Sequence, residues 1–457
     1  MVSVARPEAP GKILIVGVWR DRVAFTWDYR TFNFRSAILK AAKDLFPGTK
    51  VTKVELIAPG ATVERPYPDL SFVQAHVGIT TDILGASAIM NLILTANGWK
   101  IWTLNTVIER LNDFPELASK DGHMVGPRSW SAQRALDNEL VDVEPDVLII
   151  GGGQNGLMTA HRLKALGVRA LVVERNARVG DNWRGRYEAL SLHFPHWADH
   201  FADFPYPRHW PTYTPAEKLA DFFEWYVSAM ELPVWTSSTV SACTQANGEW
   251  TIEVTRADGR KRTFHPKQVI MATSLCGVPY IPTIKGQKDF RGVVYHSTTH
   301  TTARNYLGKR VLVVGTSSSG FDAAYDFARA GIDVTLLQRS PTFIMSLTHS
   351  VPRIIGTYEP AADGTRPDIE IADRIANSMP LGPGEEMGRR LGAELADLDH
   401  NLLLALEKRG FRTWRGQRNT ATQTLGFTRN GGFYFDAGAC DQIINGNIKV
   451  QQGSITK

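Results

Sequence analysis

Between residues 146 and 340 the apolar positions fall in unbroken runs. Val147, Leu148, Ile149 and Ile150 lead straight into glycines, and Ala170, Leu171, Val172 and Val173 follow after one helix-length segment. Val311, Leu312, Val313 and Val314 repeat the pattern, as do Val334, Thr335, Leu336 and Leu337. A strand with no polar face is buried on both sides, the habit of parallel sheets covered by helices. The intervening segments 157–166 and 321–330 have helical spacing, so this part of the chain predicts a parallel α/β architecture.

The residues before 112 read differently. Val51, Thr52, Lys53, Val54, Glu55 and Leu56 alternate, runs at 89–94 and 99–104 flank the hairpin signal Ala96, Asn97, Gly98, and 38–46 is apolar-rich. This predicts a small α+β domain over 13–111 with an antiparallel sheet. Residues 112–144 lose periodicity and carry Asp121-Gly122, Gly126-Pro127 and Ser129, which reads as a linker. The fold class expected is α/β: two Rossmann-like dinucleotide-binding domains preceded by a small α+β domain. Boundaries fall at 145–300 for the first nucleotide domain and 301–350 for the second. Residues 351–457 are read as the remainder of both nucleotide domains, incomplete at its end.

The chain has 457 residues, enough for two to four domains at roughly 100–200 residues each. Basic residues exceed acidic ones by 51 − 46 = 5, with no long basic run, which argues against a nucleic-acid partner and leaves anionic small molecules open. The three cysteines, Cys243, Cys276 and Cys440, are too far apart in sequence to form a C-x-x-C redox pair or a neighbouring metal-ligand set, so no metal is expected. The longest apolar stretches are too short for a secretory signal core or a membrane span, and a cytoplasmic protein without a membrane partner is expected.

The chemistry sits in two glycine fingerprints. Gly151, Gly153 and Gly156 follow the first strand in G-x-G-x-x-G spacing, which serves a tight turn, backbone approach to a pyrophosphate and close helix packing, respectively. Gln154 and Asn155 lie within the loop. Glu174 ends the next strand 18 residues after Gly156, placed to hydrogen-bond a ribose, with Arg175 beside it. The second copy is Gly315, Thr316, Ser317, Ser318, Ser319, Gly320, with Ser317 in place of the middle glycine. The same 18-residue offset from Gly320 lands on Gln338, followed by Arg339 and Ser340. The acid that would repel a ribose 2′-phosphate is absent and a guanidinium stands in its place, so the second nucleotide is read as NADPH. Two sites with opposite ribose chemistry suggest a flavin dinucleotide and a nicotinamide that meet. Val269, Ile270, Met271, Ala272, Thr273 and Ser274 fit a strand whose end approaches the first nucleotide.

Beyond Glu174 come Gly180, Asp181, Asn182, Trp183, Arg184, Gly185, Arg186 and Tyr187, then Leu192, His193, Phe194 and Pro195; Phe290, Gly292 and His296 stand in F-x-G-x-x-x-H spacing. Together with both fingerprints, these residues resemble the flavin-containing monooxygenase superfamily, notably its fungal and bacterial members similar to indole-pyruvate monooxygenases, over about residues 145–445. His300 departs from the pattern, standing where an aromatic residue is usual. The resemblance implies FAD, NADPH, O2 and a small organic substrate, with oxygen adding to the reduced flavin as a 4a-hydroperoxide. It implies that Gly180, Asn182, Trp183 and Arg184 or Arg186 contact the flavin nucleotide. His193 is placed beside the flavin as the candidate catalytic residue. His296 is expected to order the interdomain link by a structural hydrogen bond.

Trp19-Arg20-Asp21 through Tyr29-Arg30-Thr31, with the hairpin ending at Trp99-Lys100, resembles the cone-like nuclear transport factor two-like fold. Trp27, Trp99 and Trp102 are read first as sheet core and second as a pocket lining, and the sheet offers a homodimer interface. A return strand with a second Ala-Thr-Gly-like segment has no counterpart after residue 436. The alternative reading is therefore a catalytically impaired FAD- and NADPH-binding module or NADPH oxidase.

Overall fold

The computed structural model describes residues 17–117, 127–274 and 277–456. Cys276, Asp121, Gly122, Gly126 and residues 13–16 lie outside them. The chain divides into two compact units, one comprising Met1–Pro115, Pro341–Leu404 and Thr413–Tyr434, the other Glu116–Ser340, Ala405–Arg412 and Phe435–Lys457.

The first unit is built on a six-stranded sheet. Its elements are β1 (Val18–Arg22), β2 (Tyr29–Asn33), α1 (Phe34–Thr49), β3 (Val51–Tyr67), β4 (Leu70–Thr81), β5 (Leu84–Thr95) and β6 (Gly98–Leu111), in sheet order β2-β1-β6-β5-β4-β3. All pairings are antiparallel except β1 with β6. Ala96 and Asn97 form the expected hairpin turn between β5 and β6, with Gly98 at φ +84°. One sheet face is apolar: Trp19, Phe25, Leu84 and Ala86 pack with Ala41 of α1. Asp21 is fully buried beneath it, where its carboxylate accepts from the Phe25 and Thr26 amides at 3.0 and 2.9 Å and from the Thr106 hydroxyl at 2.5 Å. The opposite face is polar yet buried. There Gln74 donates to Asn91 at 3.2 Å and Asn91 donates to Thr103 at 2.8 Å.

Segments Pro341–Leu404 and Thr413–Tyr434 cluster with this sheet, whereas the whole of 351–457 was expected to complete the nucleotide domains. The reason is apolar burial: Met379 and Met387 pack on Leu70, Phe72 and Trp102. Trp102 is thus core, while Trp27 and Trp99 are 57% and 56% exposed and so are not core.

The second unit holds a four-stranded parallel sheet of Val234–Trp235, Ala170–Val173, Val147–Ile150 and Gln268–Met271, in that order. Val147 and Ile149 face a core shared with Leu157, Ala160 and Phe223. Leu148, Leu171 and Val173 face Ile252, Val254 and Phe264 of an antiparallel three-stranded layer. Cover on both faces explains the unbroken apolar runs. A second parallel sheet joins Arg310–Val314, Asp333–Gln338 and Ile448–Gln452. The returning chain therefore extends the second sheet. The latter half of the expected linker is a helix, Trp130–Glu139, built into this unit: Asn138 accepts from the Val234 amide at 2.8 Å and its carbonyl from Trp235 Nε1 at 2.7 Å. Among the described residues no helix is long and apolar enough to cross a membrane.

Candidate functional site

Gly151 adopts φ +114°, and a Cβ added there would stand 2.4 Å from the Ala272 carbonyl oxygen. Gly156, in the helix Gln154–Ala165, would bring a Cβ to 2.0 Å from the Gly151 carbonyl oxygen. Both glycines are thus demanded by the fold, and the strand ending at Met271 does approach the first loop. Gly153 is different. Its φ of −81° and ψ of −176° suit any residue, and a Cβ there would meet nothing within 4 Å. That open space, at a helix N-terminus with unpaired amides, is the cradle a pyrophosphate requires. Glu174 is 9% exposed and closes the loop: Oε2 accepts from the Gly152 amide and Oε1 from the Asn176 amide, both at 2.8 Å. Each oxygen retains a lone pair for a further donor. Gln154 and Asn155 are exposed on the first helical turn, and Arg175, also exposed, donates to the Gly277 carbonyl at 3.4 Å.

The second loop repeats this geometry. Gly315 has φ +111° and donates its amide to the Leu337 carbonyl at 3.1 Å, while a Cβ on Gly320 would lie 2.2 Å from the Gly315 oxygen. Ser317 is the N-cap of the helix Ser318–Arg329, with φ −101° and ψ 178°, and Thr316 is buried beside it. At the end of the next strand, Arg339 and Ser340 are exposed.

Four expected contacts are redirected by the structure. Gln338 is fully buried; its Nε2 donates to the Arg412 carbonyl at 2.9 Å and its Oε1 accepts from the Arg412 amide at 2.7 Å, so it ties down that segment and does not face a ribose. Arg184 donates to the Val179 carbonyl at 2.8 Å and pairs with Asp181, Asp221 and Glu224 at 3.2, 2.9 and 2.8 Å, leaving no fork for a phosphate. Its i,i+3 spacing from Asp181 was a readable warning. Gly180, at φ +88°, is buried where a Cβ would stand 2.6 Å from the Ala220 carbonyl oxygen, so its place is explained by packing of two helices. Trp183 packs on the apolar core, and Asn182 is exposed.

Arg186 takes the opportunity that Arg184 lacks. Its Nη2 donates to Ser319 Oγ at 3.5 Å, in the first turn of the second loop's helix, and its buried Nε has no partner among the described residues. No spacing rule in the sequence distinguishes the two arginines in favour of this position; only the fold does.

The segment following the first loop is bound to the helix of the second. Tyr187 donates its hydroxyl to Asp322 at 2.5 Å, and His193 Nε2 stands 3.7 Å from the same carboxylate. Burial holds the Asp322 carboxyl above its ordinary range, opposed by His193 and by the Tyr187 hydrogen bond. Burial, reinforced by the Asp322 charge, likewise raises Tyr187. His193 also meets Phe435 edge-on, with ring centroids 6.3 Å apart. His300 is buried, its ring stacked on Tyr295 and its Nε2 2.9 Å from Asp326, so it fills an aromatic position and adds a polar tie. His296 accepts from the Thr298 amide at 3.2 Å and caps a short turn, a local structural role.

Fold and loops together define an α/β protein with two dinucleotide-type loops in one unit. Residues 148–360 match the family model described as pyridine nucleotide-disulphide oxidoreductase. An indole-3-pyruvate monooxygenase of Oryza sativa subsp. japonica is 30% identical over 204 residues, covering 44% of this chain and 49% of its own. A probable indole-3-pyruvate monooxygenase of Arabidopsis thaliana is 30% identical over 43% of this chain and 48% of its own. The chain thus spans about half the length of the curated relatives it matches. Among solved structures, a flavin-containing monooxygenase from Stenotrophomonas maltophilia matches at 24% identity and TM-score 0.41, covering 44% of this chain and 59% of that one. A cyclohexanone monooxygenase with bound epsilon-caprolactone matches at 17% identity and TM-score 0.47, covering 67% of each chain.

Proposed function

We propose that the chain is an FAD- and NADPH-dependent monooxygenase that transfers one oxygen atom of O2 to a small organic substrate. The observation that carries this reading is the opposite ribose chemistry of two loops in one unit, the carboxylate of Glu174 at the first and the exposed guanidinium of Arg339 at the second. A carboxylate suits a free ribose hydroxyl and repels a 2′-phosphate, whereas a guanidinium binds one. On this reading Gly151, Gly153, Gln154, Asn155, Gly156, Glu174 and Arg175 hold FAD. Gly315, Thr316, Ser317, Ser318, Gly320, Arg339 and Ser340 hold NADPH, with Arg186 at its phosphates. The flavin, when bound, supplies hydride acceptance and oxygen activation. The protein orients the two nucleotides, and His193, 3.7 Å from Asp322, is the group placed to hold or move a proton. Oxygen chemistry is favoured over disulfide chemistry by the wide sequence separation of Cys243, Cys276 and Cys440. The monooxygenase names of the relatives support the same choice.

The test is flavin reduction by NADPH followed by O2 uptake, with indole-3-pyruvate as the first substrate probe because relatives are named for it. Oxygenated product matching O2 consumed is the expected result. A second reading, an NADPH oxidase or nucleotide-binding module, is favoured by one observation: Met271, Leu312 and Val314, on the strands that lead to the loops, are 66%, 51% and 59% exposed. Hydrogen peroxide accounting for all O2 consumed, with no oxygenated product, would establish that reading instead.

A further inference from the structure

The polar face of the first unit's sheet encloses a cavity of about 350 Å³, closed on one side by the helix Ile369–Ala376. Register explains its lining. His76 of β4 pairs with Ile89 of β5, and Ile89 with Asn105 of β6, so the three form one row across the face. In the next row Glu55 pairs with Gly78, and Gly78 with Ser87. Gly78 lets Ile57 lie close over the strand, where a Cβ would stand 2.8 Å from its Cγ2.

The groups at the polar end are unequally satisfied. Arg374 donates from Nε and Nη2 to the two carboxylate oxygens of Glu109 at 2.8 and 2.7 Å, and Ser87 donates to Glu109 as well. Arg374 Nη1 has no partner among the described residues. His76 is 4% exposed, lines the cavity and makes no hydrogen bond to any described residue. Asn105, fully buried in the same row, leaves both its amide oxygen and nitrogen unpaired among the described residues. His76 thus presents ring nitrogens to the cavity that no described residue engages, which leaves them available to a ligand. Burial first, and then the nearby Arg374 charge, lower the pKa of His76, so its ring is held neutral, with one N–H to donate and one nitrogen to accept. The charges lining the cavity balance, Glu55 and Glu109 against Arg110 and Arg374, while Ile57, Ile89 and Ile371 supply an apolar wall.

We propose that this cavity binds a small neutral organic molecule through a carbonyl oxygen, which accepts from His76 and Arg374 while its apolar body lies against the isoleucines. Balanced lining charge selects against ions, and the volume falls in the range of small-molecule sites. The proposal is independent of the nucleotide loops.

The probe is acetophenone, an apolar ring bearing one carbonyl, titrated against the full chain by ligand-observed NMR, with benzoate as the anionic counterpart. Acetophenone is expected to bind in the millimolar range and more tightly than benzoate. His76→Leu should weaken it about tenfold while leaving the melting temperature unchanged, because the ring makes no hydrogen bond to a described residue that the substitution would break. A merely structural histidine would instead lower the melting temperature. Ile371→Trp fills the cavity from the covering helix and should abolish binding with the fold intact. Flavin content should be unchanged in both variants, which separates this site from the nucleotide loops. Failure of acetophenone to bind the unaltered chain, tighter binding of benzoate, or equal acetophenone affinity in His76→Leu would each overturn the proposal.

Discussion

Gly153 and Gly156 lie in one loop, yet the structure demands glycine at only one of them, and this difference separates packing from ligand binding. At position 156 an alanine Cβ would sit 2.0 Å from the Gly151 carbonyl oxygen. Restoring ordinary contact at about 3.4 Å moves helix or loop by about 1.4 Å. Overpacking of that kind costs roughly 1–3 kcal/mol, or about 2–12 °C in Tm at 2–4 °C per kcal/mol. At position 153 the Cβ of a valine meets nothing within 4 Å and the backbone angles are permissive. Its folding cost is the lost preference of glycine at an N-cap, below about 1 kcal/mol.

Gly153→Val should therefore melt, without flavin, within about 4 °C of the parent protein, yet purify with its flavin-to-protein ratio reduced at least about tenfold, an affinity loss of 1.4 kcal/mol or more. Gly156→Ala should lose stability whether or not flavin is present. Thermal melts by circular dichroism and flavin absorbance per mole of protein measure both. Full flavin content in Gly153→Val would refute the pyrophosphate assignment. A fall in Tm as large as that of Gly156→Ala would show that packing, not ligand, accounts for the glycine.

Three further outcomes follow from named contacts. Arg339→Ala should lower the NADPH-to-NADH ratio of kcat/KM for flavin reduction by roughly 10–150-fold, the worth of a charge-assisted hydrogen bond of about 1.5–3 kcal/mol; an unchanged ratio removes Arg339 from the site. Gln338→Leu strands the Arg412 amide and carbonyl, so stability should fall by about 1–3 kcal/mol in urea unfolding with nucleotide preference intact; altered preference at unchanged stability would restore Gln338 to the ribose. Asp199 is raised from 3.8 to about 6, chiefly by burial, with His200 opposing. The folded state therefore keeps its proton while the unfolded state loses it, and the carboxyl's contribution falls as pH rises from about 3.8 to about 6. Asp199→Asn should gain up to about 3 kcal/mol at pH 7, at 1.36 kcal/mol per pKa unit, and nothing below the lower value; an equal gain at pH 3 and pH 7 would contradict the assignment.

The fingerprints were legible because each constraint on them is local: a turn at Gly151, a helix start, an acid one strand later. Even so, the first helix begins at Gln154, ahead of the apolar residue Leu157 from which periodicity dated it, because capped first turns are polar. The segment after residue 340 was not legible. Leu381–Leu398 contains Gly382, Pro383 and Gly384 near its start and reads as loop by propensity. Its helix forms because Gly384, Gly388 and Gly392 fall on one buried stripe, where a Cβ on Gly392 would stand 2.8 Å from the Asn419 carbonyl oxygen. Close packing overrides propensity, and the partner segment is remote in sequence. The buried polar face was hidden for the same reason. Alternation identifies two faces of a strand, but not that inserted helices will cover the polar one.

The two loops, alike in sequence, differ in what surrounds them, and the difference suits the roles proposed for them. The first is enclosed: Gln268–Met271 pairs on the far side of Val147–Ile150 from Ala170–Val173, and Gly151 lies against Ala272. The second is open. Arg310–Val314 is the edge strand of its sheet among the described residues, and a Cβ on Gly315 would meet nothing within 4 Å. The neighbouring strand therefore braces the first turn, whereas the second turn has no such neighbour among the described residues. In the proposed reaction the flavin stays through each cycle while the nicotinamide nucleotide arrives reduced and departs oxidised, and the better-braced turn suits the nucleotide that stays. Glu174 and Arg339 thus distinguish the nucleotide proposed for each loop, and the neighbouring strand distinguishes how firmly each turn is braced.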